Sequence, residues 1–145
     1  LAAGKAKRDA SLPPLDVVAQ APLAIGEGLE DLVDFVRPHV ALYVGGMGAK
    51  GKNFYNNLAR RYGYEAEAEQ IQDLYLSGKK DEAAAAVPRD LLEKTSLIGP
   101  ESHVKERLAA LKESGVTTLN VTPIAGDAAE RARLIERVKQ LANDV

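Results

Sequence analysis

The chain has 145 residues, 46% of them hydrophobic and 28% charged, with a formal net charge of −2. These are the proportions of an ordinary folded domain, and they exclude a nucleic-acid binder driven by bulk positive charge. With no cysteine, disulfide and thiolate chemistry are excluded as well. No apolar run reaches membrane-spanning length and no leader pattern is visible, so no membrane partner and a cytoplasmic location are expected. Length and composition are read as one domain over residues 1–145.

The first residues, Leu-Ala-Ala-Gly-Lys-Ala-Lys-Arg-Asp, read as the end of a helix with a basic last turn, as in the C-terminal piece of something longer. After the breaker Pro13-Pro14, Leu15 to Ile25 is apolar on nearly both faces and predicts a buried parallel strand, with an irregularity at Pro22. Gly26-Glu27-Gly28 is a turn. Leu29, Leu32, Val33, Val36, Val40 and Tyr43 then recur at helical spacing, and Pro38 should kink or split that helix.

Gly45 to Gly51 carries four glycines in seven positions, and Gly45 to Lys52 reads as the most flexible stretch of the chain. Helical patterns follow at Lys52–Tyr62, Glu65–Ser77, Lys79–Val87 and Pro88–Lys94, with Thr95 to Ile98 as a connector. They are too many for a simple crossover between two strands, and residues 45–98 read as a helical insertion. Gly99-Pro100 starts a helix whose Val104, Leu108 and Leu111 form one stripe, and Gly115 offers a left-handed cap. From Val116 the period changes to two. Leu119 and Val121 should pack on helices, while Thr118, Asn120 and Thr122 face the other way. Asp127 with Glu130 reads as a capping box for a last helix along Leu134, Ile135, Val138 and Leu141.

Two motifs fall in the glycine stretch. Gly46-x-Gly48-x-x-Gly51 matches a dinucleotide fingerprint. The upstream pattern is helical, however, and the region about twenty residues on is Glu/Ala-rich helix without the acidic strand end that the motif needs. Gly46-x4-Gly51-Lys52 imitates a P-loop, but Asn53 stands where a hydroxyl should hold magnesium. An anion- or nucleotide-binding module on this loop and a non-catalytic interaction fragment with a glycine hinge both stay open as alternatives. His39 and His103 have no metal-ligand spacing, so no metal is expected. His103 should face solvent, and His39 should pack at the Pro38 kink. Tyr43, Phe54, Tyr55, Tyr62 and Tyr75 read as core, and Glu65, Glu67 and Glu69 as a solvated face.

Several of these segments resemble one family. Ala41-Leu-Tyr-Val-Gly-Gly-Met-Gly, Asn53-Phe-Tyr, Arg61-Tyr-Gly, Ile71-Gln-Asp-Leu-Tyr and Ala83-Ala-Ala-Ala-Val-Pro are similar to the C-terminal part of luciferase-like flavin or deazaflavin oxidoreductases. So are Leu97-Ile-Gly-Pro-Glu-Ser-His-Val-Lys-Glu-Arg-Leu and the strand after Gly115. The Gly-Gly-Met-Gly loop resembles the branch that uses coenzyme F420. The resemblance implies an α/β fold, mostly helical by residue count, that is the C-terminal fragment of a (β/α)8 TIM barrel. Leu15–Ile25 and Val116–Thr122 become its last two strands, with the helical insertion between them. It implies hydride transfer between F420, or FMN, and a small organic substrate. The remaining N-terminal barrel portion becomes the partner that completes the site; a homo-oligomer is the other way to cover the strand edges. Gly45, Gly46, Met47, Gly48 and Asn53 become a loop near substrate or cofactor. Asn120 and Thr122 come to the barrel mouth. No catalytic acid or base is assigned within the chain.

Overall fold

The computed structural model describes residues 2–145. A short helix α1 (Ala2–Lys5) precedes strand β1 (Val18–Ile25). A 3₁₀ helix (Glu30–Val36), helix α2 (Arg37–Ala41) and a π turn (Leu42–Gly46) follow. Helices α3 (Phe54–Arg61), α4 (Glu65–Leu76), α5 (Lys80–Ala85) and α6 (Arg89–Lys94) lead to strand β2 (Leu97–Gly99). Helix α7 (Glu101–Glu113), strand β3 (Thr118–Pro123) and helix α8 (Ala128–Asn143) close the chain.

The fold is α/β with a small sheet of order β2-β1-β3, parallel throughout. The expected connector at Thr95–Ile98 is corrected, because residues 97–99 form β2, a third strand pairing Leu23↔Leu97 through Ile25↔Gly99. Three residues are too few for a period-two signal. Only burial on both faces, Leu97 against one core and Ile98 against the other, marks them as strand.

Pro22 lies inside β1 without breaking it. The Leu23 carbonyl accepts from the Ile124 amide at 2.8 Å, so odd positions of β1 face β3; the Gly26 amide donates to Gly99 at 3.0 Å, so even positions face β2. The missing N–H of Pro22 therefore points toward the β2 side, one residue before that pairing begins. No ladder bond is lost, as at an edge strand.

Two cores sandwich the sheet unequally. On one face Ala21, Leu23 and Leu97 pack with Val104 and Leu108 of α7 and Val138 and Leu141 of α8, and Leu119 and Val121 join them. The predicted facing of β3 holds on this side. The other face is covered only at its C-terminal end, where Ala24, Ile98 and Ile124 meet the helical body. That body begins earlier than residue 45. Val33, Ala41 and Val44 share its core with Ile71, Val87 and Leu92, and Ala24 and Ile98 of the sheet pack on the same core. The rest of the face is open: Val18 is 53% exposed and Gln20, Thr118, Asn120 and Thr122 lie in solvent.

The helix ends follow local chemistry. Asp127 accepts from the Glu130 amide at 2.8 Å, and the Glu130 carboxylate returns to the Gly126 amide at 3.0 Å. The box closes one residue upstream of its usual form. Gly115 adopts φ +91°, the left-handed conformation that releases the chain into β3. Pro38 sits in the first turn of α2, where its missing N–H costs nothing, and the helix splits there as expected.

Candidate functional site

Three surfaces carry the candidate chemistry. The first is the open sheet face, which lies just short of the covered C-terminal strand ends. Asn120 and Thr122 lie on it beside Gln20, with Asn120 paired to Gln20 and Thr122 to Pro22 across the β1–β3 ladder. These amide and hydroxyl groups are neutral hydrogen-bonding groups, held in place by backbone pairing and left exposed.

The second is the glycine stretch, which is not the free loop that the sequence suggests. Gly45 is buried in the π turn, and a Cβ built there would stand 2.5 Å from the Tyr75 Cβ. A Cβ on Gly46 would meet the Tyr75 ring at 2.4 Å, and one on Gly48 the Asn53 Cα at 3.0 Å. These glycines bring backbone against Tyr75 and Asn53. Gly51 alone needs its conformational freedom, at φ +75° with nothing near its Cβ position.

Asn53 acts as a clamp. It is fully buried. Its side-chain oxygen caps α3 by accepting from the Tyr55 and Asn56 amides at 2.9 and 3.1 Å. Its amide donates to the Tyr43 and Val44 carbonyls at 2.9 and 3.1 Å. Asn56, also buried, donates to Val44 at 3.1 Å and Ala68 at 2.6 Å, and accepts from Arg60 at 2.9 Å. A π turn displaces carbonyls from the i→i−4 ladder, and these two asparagines take up the displaced ones at Tyr43 and Val44. Buried polar groups must be paired, and the side-chain amides do that here. Met47, 51% exposed, is the one member of the predicted loop set with its side chain free for a ligand.

The third surface is formed by Phe54, Tyr55 and Tyr62, which the sequence predicts as core and the structure exposes. Helix α3 buries Asn56 and Ala59 and exposes Phe54 and Tyr62, at 68% and 62%. The Tyr43 ring lies 4.5 Å from that of His39 and 4.6 Å from that of Tyr55, which meets it nearly edge-on at 78°. Tyr43, Tyr55, Leu58 and Tyr62 line an apolar groove of about 210 Å³. The sequence held a signal for it. Phe54, Leu58 and Tyr62 recur at i, i+4 and i+8 while Asn56 occupies the opposite face, so aromatics and amide cannot both be buried.

The remaining polar contacts are structural. The Tyr64 hydroxyl donates to Asp90 at 2.6 Å, which pushes the phenol up and holds the Asp90 carboxyl below its ordinary value. His103, expected in solvent, lies beside Gly99, and its Nε2 is buried without a partner. No strand forms over Val40–Val44, which is helix and π turn. The dinucleotide fingerprint therefore lacks the strand it needs.

The family model described as luciferase-like monooxygenase matches residues 1–118. A protein of Mycobacterium tuberculosis (strain ATCC 25618 / H37Rv), named for a coenzyme F420-dependent oxidoreductase, is 35% identical over 127 residues, which are 88% of this chain and 34% of that protein. The structure of the coenzyme F420-dependent tetrahydromethanopterin reductase of Methanopyrus kandleri superposes with a TM-score of 0.58 at 23% identity, over 90% of this chain and 34% of that one. That likeness is one of fold. The chain spans about a third of the length of each relative.

Proposed function

The chain belongs to the luciferase-like monooxygenase family, and from that premise we propose that it is the C-terminal segment of a (β/α)8-barrel oxidoreductase. That enzyme transfers a hydride between coenzyme F420 and a small organic substrate, with FMN as the alternative cofactor, and works in the cytoplasm. The observation that carries the reading is the one-sided sheet. All strands are parallel, helices cover one face, and the other face is covered only at its C-terminal end, leaving Gln20, Thr118, Asn120 and Thr122 exposed on it. Among the described residues the outer edge of β3 has no strand beside it. A barrel abolishes such edges by closing, so the N-terminal barrel portion is the partner that covers the edge and the open face.

Active sites of such barrels lie at the C-terminal ends of the strands, here Ile25 and Pro123. The groups on this chain suit a neutral heterocycle. Asn120 and Thr122 offer donors and acceptors to the polar edge of a deazaflavin or flavin ring. F420 supplies the hydride chemistry when bound; this chain's residues orient the ring and exclude water. Met47 is the side chain of the glycine segment placed to touch substrate, as an adaptable apolar contact. Gly45, Gly46, Gly48 and Asn53 hold the backbone beneath it. Acid–base catalysis is assigned to the N-terminal portion.

The test is a titration of the natural-length protein with F420 and with FMN, followed by fluorescence. Saturable F420 binding is expected, and Asn120→Ala should weaken it about three- to tenfold, the worth of one hydrogen bond. A natural-length protein that binds neither cofactor overturns the reading.

A further inference from the structure

We infer that the groove beside α3 is a binding site for a small uncharged aromatic molecule, walled by Tyr43, Tyr55 and Leu58. No strand residue lines it, so it is distinct from the sheet face assigned to the cofactor.

Size, charge and rigidity select this occupant. The groove's volume of about 210 Å³ compares with the roughly 150 Å³ apolar cavity that holds benzene in an engineered protein. A single ring with a substituent fits. No Asp, Glu, Lys or Arg lines the groove, and its one imidazole, His39, packs on Tyr43 at 4.5 Å, so an ion entering it would lose hydration without gaining a permanent charge as partner. Tyr43 and Tyr55 already meet edge-on, an arrangement that receives a further ring without a charged contact. The wall is also fixed in advance. Asn53 and Asn56 clamp the Tyr43 and Val44 carbonyls, and Gly45 and Gly46 seat the turn on Tyr75. A preorganised wall spares a ligand the cost of ordering it, and π turns recur at functional sites. The hydroxyls of Tyr43, Tyr55 and Tyr62 are not used as that of Tyr64 is on Asp90, and they remain as polar handles.

A second copy is a poorer occupant. Arg60 and Arg61 share a surface hollow with Phe54 and Leu58. Two copies meeting across the α3 stripe about a twofold axis would bring these cations onto one another.

The experiment uses the natural-length protein and two fluorinated rings followed by 19F line broadening: 4-fluorophenol, neutral at pH 7, and 4-fluorobenzoate, an anion. Millimolar binding of the phenol is expected, with the benzoate at least about tenfold weaker. Leu58→Lys should weaken the phenol about tenfold or more, and Leu76→Lys, at an exposed position on α4, should leave it unchanged. Where Leu58→Lys lowers folding by circular dichroism, Tyr55→Ala carries the test, with at least about a threefold loss expected. Phenol binding that neither groove variant alters, or benzoate binding as tight as the phenol, overturns the inference. So does a wild-type dimer in sedimentation that Leu58→Lys dissociates, which would make the groove an interface between copies. F420 affinity is measured on the same samples, so failure of the cofactor reading and failure of the groove are separate results.

Discussion

Replacing Asn53 by alanine removes four hydrogen bonds at once, and the structure divides them into two halves. The acceptor half caps α3 at Tyr55 and Asn56; losing an N-cap of this kind costs about 0.5–2 kcal/mol. The donor half binds the Tyr43 and Val44 carbonyls. Val44 keeps its bond from Asn56, so the loss falls on Tyr43, at about 1–3 kcal/mol for a carbonyl left unpaired. The sum is about 1.5–5 kcal/mol, or roughly 5–15 °C in melting temperature for a domain of this size. Asn53→Ser separates the halves, because serine still caps the helix but does not reach the carbonyls. It should lose about half as much. Urea unfolding followed by circular dichroism at 222 nm measures all three proteins, and the proposed turnover of the natural-length protein is read alongside. A loss below about 0.5 kcal/mol for Asn53→Ala, with turnover falling instead, would refute the clamp and return Asn53 to the substrate.

Gly46→Ala should destabilise by about 1–3 kcal/mol because its Cβ meets the Tyr75 ring; combined with Tyr75→Ala the two losses should add to less than their sum in thermal melts. Gly51→Ala meets no neighbour but must hold φ +75°, so about 1–2 kcal/mol is expected from backbone strain alone. Leu92→Ala, at a site with no exposure, should cost about 2–5 kcal/mol in urea unfolding. Asp16 accepts hydrogen bonds from the Thr117 and Thr118 hydroxyls, which hold its carboxyl below the ordinary value. A depressed folded pKa gives stability that is present above the unfolded value and lost as pH falls through the folded one. Wild type and Asp16→Asn should therefore converge in stability below about pH 4, and a difference that persists unchanged to pH 2 would contradict this.

Much of the frame was legible because local chemistry carried it. Asp127 with Glu130, Gly115 and Pro38 each specify a helix end whatever surrounds them. The alternation from Leu119 to Thr122 fixes which side of β3 meets α7 and α8, since a one-residue slip would expose every leucine and valine. Periodicity also ruled out a strand at Val40–Val44.

Tertiary structure decided what periodicity cannot encode. β2 is too short to show a period, and it became a strand because the helical body returned Leu97 and Ile98 alongside Leu23 and Ala24. Glycine permits freedom and close approach alike. Which one Gly45 and Gly46 serve depended on Tyr75, some thirty residues away, arriving against them. Asn53 has the same donors and acceptor in a lid as in a cap; only the π turn, by displacing two carbonyls toward it, made it a clamp. Tyr55 and Tyr62 read as core because aromatics with apolar neighbours usually are. They face outward because α3 has a single inner face, which Asn56 and Ala59 occupy, with the Asn56 amide donating to the Val44 and Ala68 carbonyls.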